Sequence, residues 1–330
     1  MKLPMRIAID AMGGEGGAQL TVPATIAALD TLPNAAFVLV GNRQIIEQEL
    51  LTLQCSNSAR LEILHTDAVV TDEEKPSNVI RHNRQSSLYL ATELVKQGAV
   101  QAMVSAGNTG ALLMAGRHLL KTIPGIQKPA IVATLPSLAR PTYFLDVGAN
   151  PHCNQQQLFE FAVMGSVLAE SLNGSPARVG LLNIGSEQHK GTSAVQHAAE
   201  MLRNCENINY VGFVEANELY MGVADVVVCD GFVGNVTIKS SAGVANVVND
   251  LLSAQEFHQH KELLSQVKEQ INPQRFNGAI LLGLQGSIVK SHGNATLEGF
   301  RYAISQAAKE VETKVPQLIA AKVAAIMQAA

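Results

Sequence analysis

Asn183 to Ser193 reads N-I-G-S-E-Q-H-K-G-T-S and follows the apolar run Val179–Leu182. Glycines let a backbone approach an anion and a lysine supplies a charge, so the end of this strand is a natural place to hold a phosphate. The stretch is not a Walker loop. Counted from Gly185, the pair arrives as Lys190-Gly191, whereas the nucleotide pattern needs Gly-Lys-Ser/Thr. Similar clusters follow other apolar runs: Asp10-Ala11-Met12-Gly13-Gly14, Ser105-Ala106-Gly107-Asn108-Thr109-Gly110, Asp146-Val147-Gly148-Ala149-Asn150 and Asp230-Gly231-Phe232-Val233-Gly234-Asn235. One such cluster is explained by a tight turn. Five of them predict a polar, anion-friendly edge beyond the carboxyl ends of the strands.

Other chemistries fit less well. Setting G-x-G-x-x-G on Gly14 and Gly16 puts Gln19 at the third glycine, with no clear ribose-binding acid downstream. His82, His118, His152 and His292 lie on separate segments without ligand spacing, so no metal is expected. His152 and Cys153 are neighbours in sequence, and neighbours rarely face each other as nucleophile and base.

The elements that must position these clusters are short β-branched runs alternating with helical patterns. Strands are expected at 6–10, 37–41, 61–64, 102–105, 130–134, 142–147, 179–184, 209–211 and 225–229. Helices are expected at 45–53, 78–96, 158–170 and 193–203. That alternation means βαβ units in an α/β fold with a mostly parallel sheet and helices on both faces. The 330 residues are 47% hydrophobic and 16% charged, enough for a large core in one domain or two intimate ones. A net charge of −4 argues against a nucleic-acid partner. Cys55, Cys153, Cys205 and Cys229 form no C-x-x-C pair and read as free thiols in a cytoplasmic protein. With no signal-peptide core and no apolar run long enough to span a bilayer, a soluble chain is expected.

Toward the C-terminal third, Val244, Val247, Val248, Leu251 and Leu252, then Leu263, Leu264, Val267 and Ile271, recur at helical spacing around the polar stretch 255–260. The spacing predicts two amphipathic helices joined as a hairpin over 244–271 with Phe257 near its tip, their stripes either packing on the chain's own core or projecting from it.

Taken together, "IAIDAMGG", "SAGNTGALL", "LDVGAN", "VGLLNIGSEQHKG", "ADVVVCDGFVGNVTIK" and "IVKSHG" resemble the bacterial phosphate acyltransferases in order and spacing, from the first strand to about Arg301. The resemblance implies transfer of a fatty acyl group from acyl carrier protein to inorganic phosphate for phospholipid synthesis, and the missing ligand spacing and nucleotide fingerprints predict no cofactor. It implies one unit, 1–330, of two interleaved α/β lobes around a cleft. The implied fold is similar to phosphate acetyltransferases and isopropylmalate dehydrogenases. It also implies a homodimer sealed by the hairpin helices, weak membrane contact near Phe257, Lys261 and Lys268, and a downstream membrane acyltransferase as a further partner.

In that chemistry phosphate is itself the nucleophile, so the protein holds it beside the thioester and stabilises the oxyanion. The resemblance then places Lys190, Asn235, Lys239 and His292 as catalytic. Asp10, Gly13, Gly14, Gly107, Asn108, Thr109, Asp146, Asn150, Asn183 and Asp230 are placed as substrate-binding. His292 would protonate the leaving thiolate or bind phosphate. Two positions depart from the family pattern: Glu15 replaces an aspartate, and Arg81-His82-Asn83-Arg84 is less basic than usual where an acidic carrier would dock. A nicotinamide-dependent dehydrogenase on the related fold, or a non-catalytic carrier-binding scaffold, would be the alternatives.

Overall fold

Ile7, Ala8 and Ile9 are consecutive residues of strand β1 (Met5–Asp10), and all are fully buried. Successive strand side chains point to opposite faces, so protein covers both faces of β1, as in a parallel sheet flanked by helices. The computed structural model describes residues 5–55, 58–254 and 273–329. The chain divides into two compact units, one of Met1–Pro129 with Asn277–Ala330 and one of Ala130–Phe276.

The first unit begins with β1, helix α1 (Gly17–Thr31), β2 (Ala35–Gly41), α2 (Arg43–Thr52) and β3 (Leu61–His65). It continues through α3 (Asn78–Arg81), α4 (Ser87–Lys96), β4 (Ala102–Ser105) and α5 (Thr109–Leu119). The second unit holds β5 (Ala130–Leu135), β6 (Thr142–Leu145), α6 (Gln155–Asn173), β7 (Arg178–Leu182), α7 (Ser193–Arg203), β8 (Asn209–Val214), β9 (Val226–Val228) and α8 (Gly231–Ala254). The chain then returns to the first unit as β10 (Ala279–Leu282), β11 (Ser287–Lys290), α9 (Leu297–Thr313) and α10 (Val315–Ala329).

In the first unit the strand order is β3-β2-β1-β4-β11-β10, parallel except that β10 runs against β11. In the second it is β5-β6-β9-β7-β8, parallel except that β5 runs against β6. Val226, Val227 and Val228 of β9 are all buried, so that strand too is covered on both faces. The second unit is braced by Arg178, which reaches both oxygens of Asp225 across the loop before β9.

The expected α/β class and parallel pairing match the structure, and two local expectations need correction. Residues 78–96 are not one helix. Asn83 donates to Glu74, and the Ser86 hydroxyl accepts from the Tyr89 N–H with Ser86 itself extended. Such short polar side chains compete with helical hydrogen bonds, so α3 stops and α4 starts afresh. Strands β10 and β11 also went unpredicted. They are four residues each and joined at Gly283, whose φ of +89° suits glycine. The forecast hairpin over 244–271 lies partly outside the described residues. Its first part, Val244–Ala254, is the end of the single long helix α8, while Phe257, Lys261, Leu263, Leu264, Val267, Lys268 and Ile271 fall outside them.

Glu310 of α9 is fully buried near Ser287 of β11, and one of its carboxyl oxygens has no hydrogen-bond partner. Burial raises its pKa to about 8, against a weaker lowering by Ser287. A carboxyl whose folded pKa exceeds its unfolded one stabilises the fold fully below about pH 4.3 and loses that contribution as pH rises through the folded value. The thermal stability of wild type should therefore fall between about pH 5 and 8. Glu310→Gln should flatten that slope and gain roughly 1–3 kcal/mol over wild type above pH 8. Parallel melting curves of the two proteins across that range check it.

Candidate active site

Parallel pairing sets β1, β4 and β11 side by side, with Ile9 opposite Val104 and Ser105 opposite Lys290. Asp10, Ser105 and Lys290 therefore emerge at one carboxyl edge of the first unit. The Ser105 hydroxyl donates to Asp10 Oδ2 at 2.6 Å, and the Gly107 N–H donates back to the same hydroxyl oxygen at 3.0 Å. Asp10 is buried, which raises its pKa against the lowering by that hydroxyl, and its Oδ1 has no partner. Gly13 and Gly14 are glycines because three loops converge here. A Cβ on Gly13 would lie 2.6 Å from Asp10 Oδ2, and one on Gly14, at φ +80°, 2.8 Å from Ala106 and 2.9 Å from the Gly293 carbonyl.

Lys290 donates from Nζ to the Ala106 carbonyl at 2.9 Å and to the Ser291 carbonyl. Burial lowers its pKa to about 8, with Asp72 and then Asp10 pulling it back. Asn277 bridges the next turn, donating to the Ser291 hydroxyl at 2.9 Å and accepting from the His292 N–H at 3.0 Å. His292 is exposed as a residue. Partial desolvation, then the Lys290 charge, lower its pKa, so the ring is neutral near pH 7.

Asn108 caps α5, its Oδ1 accepting from the Ala111 N–H at 3.0 Å while its amide donates to the Asp72 carbonyl at 3.2 Å. Thr109, the first residue of α5, is exposed.

The second unit repeats the design at the ends of β6, β9 and β7. Asp146 Oδ1 accepts from the N–H groups of Ile131, Gly148 and Ala149 at 3.0, 3.2 and 3.0 Å. Its Oδ2 accepts from the Asn150 backbone and side chain at 2.7 and 3.0 Å. Burial raises the Asp146 pKa while these bonds pull it down. The first turn of α8 lies directly on this turn. A Cβ on Gly234 would be 1.9 Å from the Asp146 carbonyl oxygen, and one on Gly231 would be 2.7 Å from that of Asn150. Asn235 donates to the Val147 carbonyl at 3.2 Å, and Asp230 caps α8 by accepting from the Val233 N–H at 2.9 Å. Lys239, one turn further along α8, is exposed.

The loop after β7 is organised by Asn183, which accepts from the Ile184 N–H at 2.9 Å and donates to the Lys190 carbonyl at 3.2 Å. Gly191, at φ +91°, leaves that amide its room: a Cβ there would meet Asn183 Oδ1 at 2.2 Å. Lys190 pairs with Glu187 at 2.7 Å, and that bond to Lys190 is the main cause of the lowered Glu187 pKa.

The structure thus gathers Asp146, Asn150, Asp230 and Asn235 around one turn, and Asn183 with Lys190 in the loop of the neighbouring strand. Asn108, Asn183 and Asp230, expected on substrate, direct their side chains to helix starts and loop carbonyls. The Glu187 partner of Lys190 was missed, although the i, i+3 spacing shows it. Lys290 was missed because β11 was. A β-branched run bounded by Gly286 and Gly293 was the available signal. Among the described residues no group of three or more His, Cys, Asp or Glu could hold a metal ion.

The family described as fatty acid synthesis protein matches residues 5–318. Phosphate acyltransferases from Aliivibrio salmonicida and Shewanella woodyi are 44% and 45% identical to this chain, aligned over 98% of it and 98% of each relative. A phosphotransacetylase from Streptococcus pyogenes superposes with a TM-score of 0.65 at 15% identity, over 94% of this chain and 95% of its own. The EutD phosphotransacetylase from Staphylococcus aureus gives 0.62 at 16%, over 93% and 94%. The structural likenesses speak to fold alone, and the full-length sequence match goes further: the chain belongs to the phosphate acyltransferase family.

Proposed function

We propose that this acyltransferase moves a fatty acyl group from an acyl carrier protein thioester to inorganic phosphate, giving acyl phosphate and the free carrier thiol. The observation that carries the reading is the loop after β7, where Lys190 is held at a strand end by an exposed partner, Glu187. Exposed pairs are weak, so a phosphate oxygen can replace the Glu187 carboxylate on Nζ at little cost. Asn235 has a second amide hydrogen beyond the one given to Val147, available to an oxyanion. Lys239 follows at i+4, one helical turn along, and adds a second charge.

A phosphate oxygen attacks the thioester carbon, and the carbonyl electron pair moves onto oxygen. The tetrahedral oxyanion is stabilised by these donors and collapses. The C–S bond breaks, and the leaving thiolate takes up the proton that hydrogen phosphate gives up on becoming acyl phosphate, which needs no activated serine or cysteine. The turns around Asp146 and Asn183 keep Asn235 and Lys190 in place. For His292, the lowered pKa favours hydrogen-bond donation from a neutral ring over proton delivery to the thiolate. In this reading Asp10, Gly13, Gly14, Gly107, Asn108, Thr109, Asn150 and Asp230 serve substrate binding, largely by shaping backbone.

Arg81, His82 and Arg84 are exposed on a segment braced by the 2.6 Å bond from Asn83 to Glu74. They are the surface on which an acidic carrier protein would be steered. The same reading places the enzyme in the cytoplasm, feeding a downstream membrane acyltransferase, with weak reversible membrane contact near Phe257. No helix among the described residues is long and apolar enough to cross a membrane.

Phe232, Val236, Val244, Val247 and Leu251 recur on one side of α8 and are 63%, 54%, 62%, 58% and 59% exposed. An apolar stripe of this length on a helix wants cover, and a second copy of the chain is the proposed cover.

Lys190→Ala and Asn235→Ala should each lower turnover by about 10²–10³ while unfolding as wild type does. Acyl hydroxamate trapped from a carrier thioester only when phosphate is present measures it. Near-normal kinetics in both variants would place the reaction elsewhere. Val244→Glu combined with Val247→Glu should sediment as a folded monomer. A dimer that persists in this variant means that α8 is not the interface.

A further inference from the structure

Lys290 is an ammonium without an ion pair. Among the described residues its hydrogen-bond partners are two neutral carbonyls, Ala106 and Ser291, and no carboxylate lies within ion-pair distance. An ammonium carries three donors, so one remains. Partly desolvating a charge on neutral partners alone is unfavourable. The groups that face it are Asp10 from β1 and Asp72 from the loop before α3, both acting at longer range, and His292 from its own loop. Lys290 is only partly buried, so a ligand can reach it.

Its surroundings are those of an anion site. Helix α5 starts beside it, following the Ala106 carbonyl that Lys290 holds, and the first N–H groups of a helix lack intrahelical acceptors. Gly13, Gly14 and Gly107 remove side chains from the adjoining turns, where Cβ atoms on Gly13 and Gly14 would collide. Asp10 Oδ1, buried in the same cluster without a partner, is an acceptor and can be met only by the protonated oxygen of a hydrogen phosphate or phosphate monoester.

We propose that the first unit contains its own binding site for a phosphate-type oxyanion, with Lys290 as its cation and the Gly13-Gly14 and Gly107 turns as its wall. The oxyanion is either free phosphate or a phosphate ester carried by the thioester donor. This rests on the acyl-transfer reading for its ligand, and the experiment separates the two.

Full-length wild type, Lys290→Gln and Lys290→Arg are compared, with melting curves confirming that each folds. Rates are taken against phosphate concentration with two donors, an acyl thioester of pantetheine and the same thioester of 4′-phosphopantetheine. Lys290→Gln should raise a KM by roughly 10–100-fold, the range for losing one hydrogen bond to a charged group. A rise in the phosphate KM with both donors identifies free phosphate, and a rise confined to the phosphorylated donor identifies the ester. A folded Lys290→Gln that moves neither overturns the site.

Because burial lowers the Lys290 pKa to about 8, the wild-type KM affected should worsen as pH rises through that value. Lys290→Arg stays charged and should lose this alkaline limb. Persistence of the limb in Lys290→Arg also overturns the proposal. Calorimetric titration with inorganic phosphate and with 4′-phosphopantetheine, without turnover, reads the site directly. Binding that depends on Lys290 in a protein that forms no acyl phosphate would defeat the acyl-transfer reading and leave this site standing. Acyl transfer with binding indifferent to Lys290 would do the reverse.

Discussion

Asp146 has two carboxylate oxygens, and five N–H groups donate to them. Much of the second unit's polar edge depends on this convergence. A carboxylate buried without partners would be prohibitively unfavourable, and one with this many donors becomes a nucleus around which backbone folds. The turn from Asp146 to Asn150 wraps its own side chain, leaving the Val147 carbonyl free to hold Asn235 and the Asn150 carbonyl free to take the Gly231 N–H. The start of α8 is thereby fixed against the end of β6. Glycine at 231 and 234 follows from that approach, since any side chain there would strike the turn.

The first unit solves a similar problem with fewer donors. Asp10 receives the Ser105 hydroxyl, which in turn receives the Gly107 N–H, so the ends of β1 and β4 are tied by a short chain of hydrogen bonds. Lys290 completes the arrangement from β11 by holding the Ala106 and Ser291 carbonyls. One carboxylate oxygen and one ammonium hydrogen are left over. The carboxylate oxygen is buried, so leaving it unsatisfied is a standing cost, whereas the ammonium is only partly buried.

The two edges share a division of labour. Aspartates and asparagines near the strand ends shape backbone, as Asp230 and Asn108 do in capping α8 and α5. The groups with spare capacity are fewer: Lys190, Lys239, the second hydrogen of Asn235, and Lys290. The proposed acyl transfer would require little more, because its nucleophile is the substrate and its leaving thiolate is stable.

The sequence by itself determined the α/β class, most strands, and the position of the strand-end clusters, because alternating apolar runs and glycine-rich turns are local signals. Full-length likeness to a family was equally legible, since six motifs keep their order. What each polar residue does was decided by tertiary structure. The letters Asn108, Asn183 and Asp230 look the same whether an amide or carboxylate faces a substrate or a backbone N–H, and only the folded geometry supplies the partner. The break between α3 and α4 depended on Glu74 reaching Asn83 from outside the helix. Lys290 stayed hidden for the strongest reason. A local run could have marked its strand, but its partner carbonyl at Ala106, just after β4, lies 184 residues away in the chain, and no local pattern encodes that contact.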